Sequence, residues 1–318
     1  MRTAKVELLF IRKKKCTGVK SILVETFKAL QLTQSNDIII CWYDFMGVVL
    51  WWLSKLTFSK RKIVIVNILL KEKQTLKNKI ARFLYRFTLK SNSVRSTVTS
   101  VEYGKWLNRY LKIDKEHTLL KDIYYGDEYY LKSSSNTDVS NENNKLTVDN
   151  NSVFCGGKNG RDWNFLFEIA KKLPKVTFNC VMSQKDFDKF VDSLVKLKNI
   201  KVYVNTSLEE FCNILQSSKM VVMPLDTEAP AGLIVMFEAA FYEKLVLTSN
   251  NMVTRSYLSD NRGVILDKNV DDWVKAVQEC LSDNKKSIVA ARNFKSYLNE
   301  SCNLEIFFNT LKNIVEPW

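Results

Sequence analysis

Residues 223–249 read MPLDTEAPAGLIVMFEAAFYEKLVLTS. Val221 to Met223, leading into them, are apolar and β-prone. Asp226, Thr227, Glu228, Pro230 and Gly232 then break any regular period. Leu233–Phe241 resumes at helical spacing, and 245–248 is a short apolar run suited to a buried strand. Strand, loop, helix and strand together are the repeating unit of a parallel α/β sheet. A helix N-terminus at the end of such a loop presents unpaired amides and a positive dipole, which suits an anion. Glu238 stands in the middle of this apolar helix, where a charge requires a partner.

The same alternation runs outward in both directions. Upstream, strands are expected at 6–11, 37–42, 62–68 and 96–99, with helices at 17–30, 45–56, 75–89 and 101–111. The run at 62–68 is almost continuously apolar, as in a parallel strand covered on both faces. Residues 132–147 are polar and rich in Ser and Asn, the composition of a linker or long surface loop. Beyond them, strands at 152–155, 175–182 and 200–204 alternate with helices at 163–172, 184–195 and 208–216. A short strand at 264–266 and helices at 271–281, 285–298 and 303–315 complete the chain. The expected fold class is α/β, with two Rossmann-like doubly wound parallel-sheet domains facing a cleft. Their expected limits are 1–131 and 148–300, with the linker at 132–147 and a C-terminal helix, 301–318, packing back toward the first domain.

A chain of 318 residues that is 46% hydrophobic has enough apolar material for two cores. The seven cysteines lack metal-site or disulfide spacing. Cys41, Cys155, Cys180 and Cys212 lie in apolar runs and read as buried free thiols of a reducing compartment. No uninterrupted apolar stretch reaches the roughly 18 residues of a membrane span. The closest, 38–56, is interrupted by Asp44 and closed by Lys55. The apolar run at 6–11 is too short for a signal peptide, and its basic residues follow rather than precede it. The expectation is a cytoplasmic protein.

The net charge of +14 is unevenly placed. Residues 1–132 carry 26 Lys and Arg against 11 Asp and Glu, so +15, whereas the remainder carries 22 against 23, so −1. An anionic partner is therefore expected for the first half alone. No nucleic-acid-binding module or ladder of basic and aromatic residues is present, which leaves an anionic membrane surface. Leu76, Ile80, Phe83, Leu84 and Phe87 share one helical face, and Lys79, Arg82, Arg86 and Lys90 another. Such a helix either lies on an anionic bilayer or covers a core with a solvated back. Trp51 and Trp52 add a second apolar helix that is either interfacial or sheet-covering.

Gly156-Gly157-Lys158-Asn159-Gly160-Arg161 lies between an expected strand and an expected helix. Glycine lets a backbone approach a ligand closely, and two cations beside a helix N-terminus suit a diphosphate. The pattern is neither G-x-G-x-x-G nor a P-loop, and a tight turn with solvated Lys and Arg would look the same. Ligands of open α/β sheets sit at the carboxyl ends of strands, and the strands ending near Cys155 and Met223 both point there. Asp186 and Asp188 have the spacing of a metal-diphosphate pair but fall within an expected helix, so no metal site is expected.

Four segments of the second half carry a family resemblance: CGGKNGRDWNFLFEIAKKLP (155–174), LEEFCNILQSSKMVVMPL (208–225), APAGLIVMFEAAFYEKLVLTSN (229–250) and VTRSYLSDNRGVILD (253–267). In order and spacing they resemble the C-terminal domain of retaining GT-B glycosyltransferases of the large family 4 class. The first half resembles that family more weakly, through DIIICWYDF (37–45), RKIVIVNILL (61–70) and TVTSVEYGKWL (97–107). The resemblance implies that Lys158 and Arg161 hold a donor diphosphate, on a shorter spacing than the common form. It implies that Glu238, matching the second glutamate of the family's E-x7-E motif, binds ribose. The first glutamate of that motif falls at Pro230, and Glu228, two residues upstream, is its stand-in. Gly157, Gly232 and Leu233 shape the donor pocket. Glu228 and Asp44 are the candidate catalytic carboxylates, and Gly18 and Asn67 join Asp44 on the acceptor side. The family's histidine has no counterpart: the single histidine, His117, lies elsewhere in the domain and reads as a surface or interdomain residue.

The activity this resemblance implies is transfer of a sugar from a nucleoside-diphosphate donor, UDP-sugars foremost, to a lipid-linked or oligosaccharide acceptor. The setting is bacterial capsule or exopolysaccharide assembly, peripheral on the inner face of the cell membrane, with no cofactor and no metal. Retaining chemistry of this kind is read as front-side attack, in which the leaving diphosphate takes the acceptor proton and the protein positions groups and stabilises charge. Two rival readings keep the fold: a degenerate subunit that stabilises a partner transferase, and a nucleotide-sugar epimerase or phosphorylase.

Overall fold

In a computed structural model the described residues are 19–70, 72, 75–126, 147–157 and 159–318. They divide into two compact units. The strand expected at 6–11, Gly18 and Lys158 lie outside the described residues, as does the linker expected at 132–147 except for Thr147.

The first unit takes the described residues through Val98, then Trp106–Thr118 and Asn313–Trp318. In chain order the elements here are α1 (Val19–Leu32), β1 (Ile38–Cys41), α2 (Asp44–Leu56), β2 (Lys62–Ile65), α3 (Leu76–Lys90), β3 (Val94–Val98), α4 (Val101–Leu111) and β4 (Thr118–Leu119). The sheet runs β1-β2-β3-β4, with β2 parallel to both β1 and β3. Ile63, Val64 and Ile65 are fully buried, as expected of a strand covered on both faces. β2 stops at Ile65 rather than at 68 because Asn67 turns into the left-handed region at φ 47°. Thr97 holds it there, accepting from the Asn67 amide at 2.8 Å and donating to its Oδ1 at 2.9 Å. The last residues close on the same sheet. Arg95 donates to the Ile314 carbonyl and lies 4.4 Å from the Trp318 ring centre.

His117 is half-buried inside this unit rather than on its surface. Its Nε2 donates to Asn108 Oδ1 at 3.0 Å and its Nδ1 accepts from Ser96 at 2.8 Å, so it ties β3 to α4. Burial, and secondarily the charge of Lys115, lowers its pKa to about 4 and keeps it neutral.

The second unit takes Thr99–Lys105 and the described residues from Leu119 to Lys312. Its elements are β5 (Asp149–Gly156), α5 (Trp163–Lys172), β6 (Thr177–Met182), α6 (Gln184–Leu194), β7 (Ile200–Val204), α7 (Leu208–Ser217), β8 (Ser218–Met223), α8 (Leu233–Phe241), β9 (Val246–Ser249), α9 (Met252–Leu258), β10 (Val264–Leu266), α10 (Val270–Ser282), α11 (Asn284–Ser301) and α12 (Leu304–Val315), whose last residues count with the first unit. The segment after Thr118 is held to this unit by the Tyr124 amide, which donates to the Cys302 carbonyl at 2.7 Å, and by Lys121, which donates to the Ser256 carbonyl at 2.9 Å. Ser100, at the head of α4, likewise donates to the Met252 carbonyl at 2.8 Å.

The second sheet runs β10-β9-β8-β5-β6-β7, and its pairings are parallel. The chain first adds strands on one side of β5 and then returns to its other side with β8. The topological switch therefore lies between β5 and β8, the place where open α/β sheets bind ligands. Fully buried Phe178, Leu166 and Trp273 anchor the core beneath it. Asp186 sits in the first turn of α6, its amide and carboxylate both held by the cap residue Ser183.

Candidate nucleotide site

Two loops leave the sheet at the switch, one after Gly156 and one after Met223, and they are laced together. The Asp162 amide donates to the Pro224 carbonyl and the Asp226 amide to the Gly160 carbonyl, each at 3.0 Å. Arg161 and Leu225 form an isolated antiparallel bridge between these contacts. Asp162 then caps α5, accepting from the Phe165 amide at 3.2 Å. The second loop is pinned at its far side by α9. Asn251 donates to the Thr227 carbonyl at 3.1 Å, and Glu228 Oε2 accepts from the Met252 amide at 3.2 Å.

Arg161 fills the space between the loops and is only 9% exposed. Its Nε donates to the Gly156 carbonyl at 2.6 Å and its Nη1 to the Asn159 carbonyl at 3.0 Å. Nη2 is the remaining donor group of the fork. Burial opposes the charge, while Cys155 and Asp226 beside it favour the charge. The same burial pushes the Cys155 thiol up to about 12, so that thiol is a neutral core group.

Gly157 and Gly232 are glycines for reasons the structure makes plain. Gly157 has φ 120°, and a Cβ there would overlap Arg161 Nη2. Gly232 has φ 81° and is the N-cap of α8, and a Cβ there would lie 2.7 Å from Met223 Cε and 3.3 Å from Arg161 Nη1. Gly157, Arg161 and Gly232 are therefore one cluster, with Leu233 beginning α8 beside it. Gly232 brings no side chain to the α8 amides, so this helix end has no side-chain cap.

Glu238 lies further along α8, 5% exposed, and its Oε2 has no hydrogen-bond partner among the described residues. Burial raises its pKa to about 7. Neither a capped amide nor a lysine takes up this oxygen. Nearby Lys244 instead donates to the Gln216 and Ser218 carbonyls at 2.6 and 2.8 Å. On the facing helix α7, Cys212 feels the Glu238 charge, and Phe211 packs against Gly156. An orphaned buried carboxylate oxygen is costly unless a ligand or water completes it.

The remaining candidates lie elsewhere. Asp44 opens α2 in the first unit. Its Oδ1 accepts from the Phe45 amide and its Oδ2 from the Leu69 amide, both at 2.8 Å. Asp44 and Asn67 thus stand just beyond the carboxyl ends of β1 and β2. Asp226, which faces Arg161, was legible only as a period-breaking residue, Phe211 only as part of the helix expected at 208–216, and Cys212 as a buried thiol, whereas it is half-buried. Among the described residues no group of three or more His, Cys, Asp or Glu side chains is placed to hold a metal ion.

Residues 144–296, just under half of the chain, match the family model described as glycosyl transferases group 1. No curated protein matches the sequence. Among solved structures, Anabaena HepE in complex with UDP-glucose has a TM-score of 0.68 at 14% identity, covering 93% of this chain and 82% of its own. Sucrose-phosphate synthase from Thermosynechococcus elongatus has a TM-score of 0.71 at 14% identity, with 94% and 78% covered. The pneumococcal O-GlcNAc transferase GtfA has a TM-score of 0.59 at 13% identity, with 93% and 59% covered. At these identities the likeness speaks for the fold. Residues 144–296 thus carry a glycosyl transferases group 1 domain, within a chain whose fold is the GT-B fold of glycosyltransferases.

Proposed function

We propose that this chain transfers a sugar, with retention, from a nucleoside-diphosphate donor to a lipid-linked or oligosaccharide acceptor, and that UDP-sugars are the donor class. The observation that carries the reading is Glu238, a buried carboxylate with an orphaned oxygen in the group 1 domain. A ribose diol supplies the donors such an oxygen lacks. Arg161 would offer Nη2 to the diphosphate, joined by Lys158. The α8 N-terminus behind Gly232 would add its unpaired amides to the same anion. HepE, which has been seen with UDP-glucose, shares the fold and favours a uridine donor. Glu228, held by the Met252 amide, would stand toward the donor sugar in place of the motif glutamate lost at Pro230. Asp44, engaged by two amides, would shape the acceptor loops with Asn67 and Gly18 rather than take a proton. The transferred proton would then go to the leaving diphosphate, with no metal or cofactor taking part. The basic first half would hold the protein to the inner face of the cell membrane, in capsule or exopolysaccharide assembly.

The test is a thermal-shift screen of the purified protein with UDP, GDP, ADP and their sugars. Transfer assays on membrane extract come next, with the anomeric configuration of the product read by NMR. Stabilisation by UDP or a UDP-sugar, and a product of retained configuration, are expected. No stabilisation by any nucleotide would sink the donor assignment. Stabilisation without turnover would favour a subunit that supports a partner transferase, a reading to which the missing motif glutamate at Pro230 lends weight.

A further inference from the structure

α3 does not use its apolar stripe to cover the sheet. Its buried residues are Tyr85, Thr88 and Leu89. Leu76, Ile80, Phe83 and Phe87, spaced i, i+4, i+7 and i+11, are exposed by 74, 54, 54 and 46%. With about 3.6 residues per turn, this stripe points directly away from the buried face. Four large apolar side chains in one exposed line form a contiguous patch, unlike the single apolar residues that scatter over any surface. The patch is also rigid. Trp52 of α2 stacks on Phe83 with ring centres 6.4 Å apart, Phe87 lies at the same distance from Trp52, and Phe83 and Phe87 are 4.7 Å apart.

The charges beside this stripe select its occupant. α3 carries five basic residues and no acidic one. Lys79, Arg82, Arg86 and Lys90 run along one flank of the stripe. Arg82 lies 4.7 Å from the Tyr110 ring centre. Lys79, Arg86 and Lys90 make no ion pair among the described residues. A second copy of the chain laid on the stripe would bring two such basic rows together, and like charges oppose that. An anionic bilayer meets both features, phosphates taking the basic row and the headgroup boundary taking the aromatic stripe.

We propose that the α3 stripe, with Trp52 behind it, is the element that enters the headgroup region of an anionic membrane. This rests on the membrane-peripheral reading of the basic first half and narrows it from a diffuse charge attraction to one apolar, partly inserted surface. Charge attraction alone is screened by salt, whereas apolar insertion is not. The two therefore separate in one experiment.

The full chain is floated with vesicles of phosphatidylglycerol and phosphatidylcholine, and with phosphatidylcholine alone, at low and high salt. Wild type is expected to bind the phosphatidylglycerol vesicles and to keep a salt-resistant bound fraction. Phe83→Ser with Phe87→Ser should weaken low-salt binding by at least about tenfold and remove the salt-resistant fraction. Lys79→Glu with Arg86→Glu and Lys90→Glu should remove low-salt binding. Lys79, Phe83, Phe87 and Lys90 are exposed, Arg86 is half-buried, and none belongs to the nucleotide site, so both variants should keep the wild-type response to UDP, which reports that they are folded. If wild type ignores phosphatidylglycerol vesicles, the membrane-peripheral reading fails and the inference with it. If wild type binds and the double Phe variant binds equally at every salt, the membrane reading stands and the inserted stripe is wrong. If light scattering shows a wild-type dimer that the Phe variant dissociates, the occupant is a second copy and the proposal is overturned.

Discussion

Glu238 is the residue on which the proposed chemistry turns, and its titration is testable. Its folded pKa of about 7 is raised above the unfolded value by burial. Below the unfolded pKa the group is protonated in both states and costs nothing. As pH rises from there through about 7, the unfolded chain ionises first and the folded state loses stability. Glu238→Gln should therefore stabilise the free protein by about 1–3 kcal/mol at about pH 8 and change little near pH 4, as measured by urea unfolding. Equal stability of variant and wild type across this range would mean the carboxylate is solvated. Gly157 makes a different prediction. Gly157→Ala would combine strain at φ 120° with overlap of Arg161 Nη2. It should cost roughly 1–3 kcal/mol in unfolding and weaken UDP binding, because the guanidinium must move. Unchanged UDP affinity in that variant would place Arg161 outside the donor contact. The residue types at both positions were legible in the sequence. The orphaned state of the Glu238 oxygen was not, because it depends on how α8 is packed within the folded unit.

At the scale of elements, the helices and strands of the second unit largely stand where hydrophobic periodicity places them. α5, β7, α8 and β10 match to the residue. α9 escaped notice because it is short and begins on a capping box, Asn251 with Thr254, whose signal is local hydrogen bonding rather than periodicity. α3 was legible as a helix, but its orientation was not. Its Phe and Leu face fits a core as well as a membrane, and only the burial of Tyr85, Thr88 and Leu89 tells which side the sheet takes. The pin between β3 and α4 gives an element-scale prediction. His117 has its pKa depressed to about 4 by burial, so the stability it contributes is present above its unfolded pKa near 6.5 and is lost as pH falls through about 4. The first unit should lose about 2 kcal/mol between about pH 7 and pH 5, and His117→Gln should flatten that slope. An unchanged slope in the variant would assign the acid sensitivity to other groups.

At the scale of the molecule, one chain carries two sheets, of four and six strands, with unequal charge in the sequence that builds them. Residues 1–132 hold +15 and the remainder −1, so the charge that favours an anionic surface and the site that favours a nucleotide belong largely to different parts of the sequence. The alternation of strands and helices announced both units. The chain passes between them after residues 98, 105, 118 and 312, and the hydrogen bond of the Tyr124 amide to the Cys302 carbonyl is one of those that hold the segment after 118 to the second unit. The switch between β5 and β8 is a property of strand order, which no single segment reveals, and it places the Arg161 loop and the loop before Glu238 at the end of adjacent strands. The central claim is that a nucleoside diphosphate binds there with its ribose on Glu238. It is tested most directly by calorimetric titration of UDP into wild type and into Glu238→Gln at about pH 8. The account predicts saturable binding by wild type and a loss of at least about tenfold in the variant, since a charge-assisted hydrogen bond contributes about 1.5–3 kcal/mol. Equal affinity of the two proteins for UDP would contradict it.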